Sequence, residues 1–163
     1  MNIFEAIRTK RAVRSYTNQE VPDEHIRQIL DAGRRAQSSM NRQPWTFLVV
    51  RDRESLKKLS ECATYAGPLA GAAFVVGLVS SDEWPFDMGQ AAAYLQLAAW
   101  ELGVGSCLVW LGESEKARDL LGVPAGRFLE MAIAFGYAAE ANEVKPKLGG
   151  RKPFDEIVRW EHW

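Results

Sequence analysis

The sequence predicts a single domain of the α+β class. Segments with helical and strand-like hydrophobic patterns alternate along the 163 residues, and no internal repeat, linker or low-complexity block divides them. The run Ala72 to Val79 is uncharged and typical of a buried strand, whereas Met88 to Leu102 is apolar almost all round and must be covered on several sides. With 47% hydrophobic residues the chain can bury a core, so residues 1–163 are interpreted as one domain.

Each element follows from a local pattern. Asn2 is placed to cap a first helix, in which Phe4 and Ile7 face inward. Pro22 to Arg35 predicts a second helix, because its first turn is acidic and its apolar side chains form one stripe. Thr46 to Val50 then predicts a strand. The remaining predicted elements are a helix, a strand, a helix, a strand, a helix and a strand: Glu54 to Cys62, Ala72 to Val79, Met88 to Leu102, Ser106 to Leu111, Ser114 to Leu121 and Leu129 to Phe135.

Composition argues against several classes of function. The balance of 20 Lys+Arg against 21 Asp+Glu does not favour a nucleic-acid partner, and no apolar run is long enough to span a membrane. Cys62 and Cys107 lie far apart, and His25 and His162 have no partners at metal-ligand spacing. The N-terminus lacks the pattern of a signal peptide. We therefore expect no metal site and a reducing, cytoplasmic location.

Basic residues gather near both ends of this nearly neutral chain. Lys10, Arg11 and Arg14 lie three and four residues apart, so their charged groups can converge on one point at the end of a helix. Arg151 and Lys152 form a second pair near the C-terminus. Arginine and lysine together suit a phosphate monoester, although a lone basic cluster is more often a solvated surface.

Four segments in order resemble the nitroreductase family of FMN-dependent flavoproteins. The segments are Lys10-Arg-Ala-Val-Arg14, Ala36-Gln-Ser-Ser-Met-Asn-Arg-Gln-Pro-Trp45, Asp87-Met-Gly-Gln-Ala-Ala-Ala-Tyr-Leu-Gln-Leu-Ala-Ala99 running into Leu102-Gly-Val-Gly-Ser-Cys107, and Gly149-Gly-Arg-Lys-Pro-Phe154. Together they span nearly the whole chain. The resemblance implies a three-layer α-β-α sandwich whose central sheet is mainly antiparallel, with a C-terminal extension that reaches a partner subunit.

The resemblance also implies FMN as the cofactor and assigns residues to it. In this sequence the expected FMN-binding residues are Lys10, Arg11, Ala12, Arg14, Ser38, Ser39, Met40, Asn41, Gln43, Trp110, Leu111, Arg151 and Lys152. The two basic clusters take the phosphate, the Ser38–Asn41 turn takes the ribityl chain and ring edge, and the amides of Trp110 and Leu111 face flavin N5. A capped turn before Pro44 is the structural alternative for the second segment.

Some positions depart from the family pattern. Ala12 stands where relatives usually have serine, and Lys10 replaces the commoner arginine, which removes a bidentate contact. Gly103-Val-Gly-Ser-Cys-Leu108 is no Rossmann fingerprint, so a nicotinamide substrate is expected to dock on the flavin itself. The span from Cys62 to Asp87 is too short for the substrate-covering helices of many relatives, which predicts an open pocket.

The implied activity is electron transfer from NAD(P)H to a small organic acceptor such as a nitroarene, quinone or enone, by a ping-pong hydride mechanism. No catalytic side chain is required, because the cofactor carries the difficult step. A flavin-binding storage or sensing protein, a specialised chemistry such as reductive dehalogenation, and a scaffold without flavin remain as alternatives. Six tryptophans and the tail Arg159-Trp-Glu-His-Trp163 indicate more apolar surface than a monomer readily covers. The resemblance implies a homodimer with FMN at the subunit interface.

Overall fold

The computed structural model of the chain describes residues 2–81, 85–112, 115–139 and 150–163. Six helices and four strands occur in these ranges. In chain order they are α1 (Ile3–Thr9), α2 (Asp23–Arg34), β1 (Trp45–Val50), α3 (Arg53–Ser60), β2 (Phe74–Ser80), α4 (Pro85–Glu101), β3 (Gly105–Trp110), α5 (Glu115–Leu120), β4 (Phe128–Gly136) and α6 (Phe154–Ile157). The nine elements predicted from sequence are all present, and no predicted end is shifted by more than three residues. Ser114, the expected start of α5, lies outside the described residues.

The four strands form one antiparallel sheet in the order β1-β2-β4-β3. Every residue of β2 is buried, as its uncharged sequence predicts. The pairing of β2 with β4 slips between Leu78 and Val79, because Glu130 has no partner opposite it. This extra residue is a β-bulge, a feature that bends a strand and often adjoins a functional site.

Helices cover both faces of the sheet. On one face α2 and α4 pack over the stacked rings of Phe74 and Phe135, whose centroids are 4.7 Å apart. On the other face Leu56 and Leu59 of α3 pack with α5 over Cys107 and Val109. The expected α+β class and three-layer α-β-α sandwich are confirmed. No helix among the described ranges has the length and apolarity needed to cross a lipid bilayer.

Helix α1 differs from the sequence prediction in its buried face. Asn2 caps it as expected, since its side-chain oxygen accepts a hydrogen bond from the Glu5 amide at 2.9 Å. However, Phe4 is 82% exposed and Ile7 is also exposed, while Ala6 is the buried residue. The expectation that Phe4 and Ile7 face the core of their own chain is wrong, and α1 presents an apolar surface to solvent.

The C-terminal segment 150–163 contains α6, a short helix that the sequence did not predict. The hydrogen bonds identified for this segment lie within it, such as the Val158 amide donating to the Phe154 carbonyl at 2.9 Å. Its large apolar side chains are exposed in the single chain: Phe154, Ile157, Trp160 and Trp163.

Candidate functional site

The basic segment after α1 is extended rather than helical. Helix α1 ends at Thr9, and the next residues run along the outer edge of β3, where the Val13 amide donates to the Ser106 carbonyl at 2.9 Å. Ala12 forms a parallel bridge with Ser106. Gly105 permits this approach, because a Cβ there would lie 2.7 Å from the Val13 side chain. The segment is therefore held by β3, not by helical geometry.

The structure brings two of the three N-terminal cations together. Lys10 and Arg14 both influence the thiol of Cys107, which is buried at the start of β3. Burial lowers the pKa of Lys10, an effect that Arg14 reinforces and Cys107 opposes. Arg11 turns back instead, because its guanidinium donates to the carbonyls of Arg8 and Lys10 at 2.8 and 2.9 Å. The three side chains therefore do not converge from one helix, and their contact with a phosphate stays a prediction.

At Trp110 the backbone amide of β3 points away from the rest of the sheet. Leu111 donates its amide to the Glu130 carbonyl at 2.7 Å, so the bulge residue of β4 occupies this donor. Because hydrogen bonding alternates along an antiparallel pair, the amide of Trp110 points away from β4, toward the open edge. The expectation that the Leu111 amide faces flavin N5 is therefore wrong. Of the two expected amides, only that of Trp110 points toward the open edge.

A cleft of about 590 Å³ lies beside Trp110, and of its lining residues only Trp110 and Leu111 were expected at the site. Its walls come from the link after α3, the end of β3 and the start of α5: Cys62, Ala63, Thr64, Tyr65, Trp110, Leu111, Gly112, Glu115 and Lys116. Tyr65 and Trp110 are mostly exposed, so the cleft opens to solvent. Burial raises the pKa of the Cys62 thiol, which lines this cleft. A volume of this size accommodates a small aromatic ligand.

The loop 38–43 has an unusual backbone. Met40, Asn41 and Gln43 all have positive φ angles, near 50°, a conformation that costs energy for residues other than glycine. The Ser38 hydroxyl accepts a hydrogen bond from the Gln43 amide at 2.9 Å and closes the loop. Strain of this kind concentrates at binding sites. The exposed Asn41 side chain is thereby presented outward on a fixed loop.

Asp87 fixes this loop from α4, a role that the sequence did not reveal. Asp87 is only 7% exposed, and its carboxylate accepts a hydrogen bond from the Ser39 amide at 3.0 Å. The other end of α4 holds α1, because the Trp100 indole donates to the Thr9 hydroxyl at 3.0 Å. Because an α-helix rises about 1.5 Å per residue, Asp87 and Trp100 lie about 20 Å apart along the axis of α4. Loop 38–43 and the basic segment therefore lie at opposite ends of α4.

The C-terminal cations are exposed. Lys152 pairs with Glu156 at 3.1 Å within the same segment, and Arg151 is exposed beside it. Gly149, the first residue of this motif, lies outside the described residues. The ion pair of Lys152 lies within segment 150–163, and the contact of Arg151 and Lys152 with a phosphate stays a prediction.

Comparison with protein families identifies the family to which the chain belongs. The family described as the nitroreductase family matches residues 7–83 and 77–137. The chain belongs to the nitroreductase family. This confirms the expected family, and it makes the protein an oxidoreductase of the nitroreductase type. The match covers the first three sequence segments, and the fourth, Gly149 to Phe154, lies beyond it.

Relatives of this nitroreductase are similar over most of its length. A protein of Archaeoglobus fulgidus, named as a candidate NADH dehydrogenase/NAD(P)H nitroreductase, is 40% identical over 84% of this chain and 86% of its own. The FMN reductase [NAD(P)H] of Bacillus subtilis is 27% identical over 90% of this chain and 70% of its own. A solved FMN-dependent nitroreductase from Clostridium difficile superposes with a TM-score of 0.88 at 28% identity, covering 99% of this chain and 100% of its own.

Proposed function

We propose that this nitroreductase binds FMN and transfers electrons from NAD(P)H to a small organic acceptor. The proposal rests mainly on the arrangement along β3. Lys10 and Arg14 flank the residues that pair with Ser106, and the outward amide of Trp110 lies about 13 Å further along the same edge. The names of the FMN reductase and FMN-dependent nitroreductase relatives support this choice of cofactor.

The residues of this site match the chemistry of FMN. Two adjacent cations suit a phosphate, an outward N–H suits an acceptor nitrogen of the ring, and the open cleft suits a flat ring system. FMN, when bound, supplies the capacity to take a hydride from one substrate and return two electrons to another. The chain's own residues would hold the phosphate, orient the ring edge and leave one place for two substrates in turn.

We further propose that two copies of the chain complete each site. Within one chain the loop 38–43 and the basic segment are anchored about 20 Å apart along α4, so they need not contact the same FMN. The exposed apolar surfaces of α1 and of the segment 150–163 are of the kind that a partner covers. Asn41 would then contact the flavin held by the other chain, and Arg151 would reach a phosphate there.

The first experiment uses the purified protein and FMN. An absorption spectrum before and after adding FMN shows whether flavin binds. Anaerobic NADH or NADPH should then bleach the flavin, and a quinone should restore its colour. A protein that binds flavin without bleaching would be a storage or sensing protein. A colourless protein that takes up no FMN would reject the proposal.

The second experiment tests the phosphate contact. Arg14→Ala should weaken FMN binding by about 1.5–3 kcal/mol, the usual contribution of a charge-assisted hydrogen bond, and leave riboflavin binding unchanged. Arg27→Ala, which removes an exposed arginine of α2, is the matched control. Equal losses for FMN and riboflavin would reject the assignment of Arg14 to the phosphate.

A further inference from the structure

Segment 12–17, which carries Arg14, is attached to β3 and to the residues that follow β4. Beyond the contact of Val13 with Ser106, the Thr17 amide donates to the Tyr137 carbonyl at 2.8 Å. The Ala139 amide donates to the Ser15 carbonyl at 3.1 Å. These bonds hold both ends of the segment, and Arg14 lies between them.

Tyr16 adds a side-chain contact between these two attachments. Its hydroxyl donates to the Val13 carbonyl at 2.5 Å and lies 3.3 Å from the Ala134 carbonyl of β4. Its ring covers Gly136, where a Cβ would lie 2.9 Å from the ring carbon Cδ1. The Val13 carbonyl belongs to the peptide that continues into Arg14. The hydroxyl therefore fixes the orientation of the backbone from which the Arg14 side chain leaves.

The surroundings keep this hydroxyl protonated. Burial raises the pKa of Tyr16 far above its ordinary value, and Cys107 adds to the effect while Arg14 opposes it. The hydroxyl therefore remains a donor throughout the ordinary pH range. A donor that does not titrate is suited to a constant structural contact.

We propose that Tyr16 is a positioning residue that gives this nitroreductase its preference for FMN over riboflavin. The inference rests on the proposed function, because it requires that Arg14 contacts the phosphate. Tyr16 touches no ligand in this scheme. It acts through the peptide between Val13 and Arg14, so its removal should affect only a ligand that carries a phosphate.

The test is a titration of Tyr16→Phe with FMN and with riboflavin. Phenylalanine keeps the ring against Gly136 and removes only the hydroxyl. We expect the dissociation constant for FMN to rise about 2- to 12-fold, the range for one lost hydrogen bond, with that for riboflavin changed less than about twofold. Tyr137→Phe is the matched control, because that side chain packs on the α2–α4 face of the sheet.

A double variant separates positioning from general stability. In an Arg14→Ala background, Tyr16→Phe should no longer change the FMN dissociation constant, since the contact through which it acts is gone. If Tyr16→Phe changes the FMN and riboflavin dissociation constants by the same factor, or changes neither, the inference is overturned. A wild-type protein without preference for FMN would instead overturn the phosphate assignment in the proposed function.

Discussion

Gly105 is the position at which one added methyl group should displace the basic segment. An alanine Cβ there would lie 2.7, 2.8 and 2.9 Å from Cγ2, Cβ and Cγ1 of Val13. Carbon atoms pack at about 3.5–4.0 Å, so Val13 must retreat by about 1 Å. That retreat would stretch the 2.9 Å hydrogen bond from the Val13 amide to Ser106 to about 3.9 Å, beyond hydrogen-bond range.

The expected cost of Gly105→Ala follows from these two effects. Overpacking a buried contact costs about 1–3 kcal/mol, and the lost hydrogen bond adds about 1 kcal/mol. The free energy of unfolding should therefore fall by about 2–4 kcal/mol. FMN affinity should fall as well, because Lys10 and Arg14 move with the segment. Urea unfolding of the flavin-free protein at fixed chain concentration measures the first quantity, and titration with FMN measures the second.

Two further variants test whether the clash with Val13 causes the effect of Gly105→Ala. Gly71→Ala is the control, because a Cβ at Gly71 meets open space. Val13→Ala removes two of the three close contacts, so Gly105→Ala should cost less in that background than alone. An unfolding free energy of Gly105→Ala within about 0.5 kcal/mol of wild type would contradict the predicted clash with Val13, and so would strictly additive effects of the two substitutions.

Three other predictions concern charge, the flavin ring and assembly. Burial places the pKa of Lys10 below its unfolded value, so the unfolded chain binds more protons between these two pKa values and stability should rise with pH there. Lys10→Met should abolish that rise in stability with pH and should stabilise the flavin-free protein, while FMN binding weakens at least about tenfold. An unchanged pH profile would contradict the burial of the Lys10 charge. Asn41→Ala should shift the flavin reduction potential more than flavin affinity, and an unchanged potential with full turnover would limit Asn41 to shaping its loop. Truncation after Ile157 removes Trp160 and Trp163 and should lower both the mass measured by light scattering and the flavin content, whereas an intact flavinated dimer would exclude a role for the tail in assembly.

The elements of this fold could be predicted because their signals are local. The uncharged β2 and the single apolar stripe of α2 each specify their type within a few residues. The buried face of α1 could not be predicted in the same way. A pattern such as Phe4 and Ile7 indicates that a surface is to be covered, and it does not indicate by which chain.

The sequence predicted which residues form the candidate site, but it predicted only part of how they are arranged. The spacing of Lys10 and Arg14 resembles that of helical neighbours, yet their proximity arises from pairing with β3, a contact remote in sequence that depends on Gly105. The occupied amide of Leu111 results from the extra residue Glu130 in another strand. Such contacts between distant segments leave no local pattern, and the same holds for the cleft and for Asp87.

The distance between loop 38–43 and the basic segment has a consequence for mixtures of chains. If each site takes Arg14 from one chain and Asn41 from the other, a chain damaged at Arg14 and a chain damaged at Asn41 can complement each other. Their mixed dimer would hold one site with both lesions and one site with neither. Two impaired preparations, unfolded and refolded together, would then recover more activity than either possesses alone.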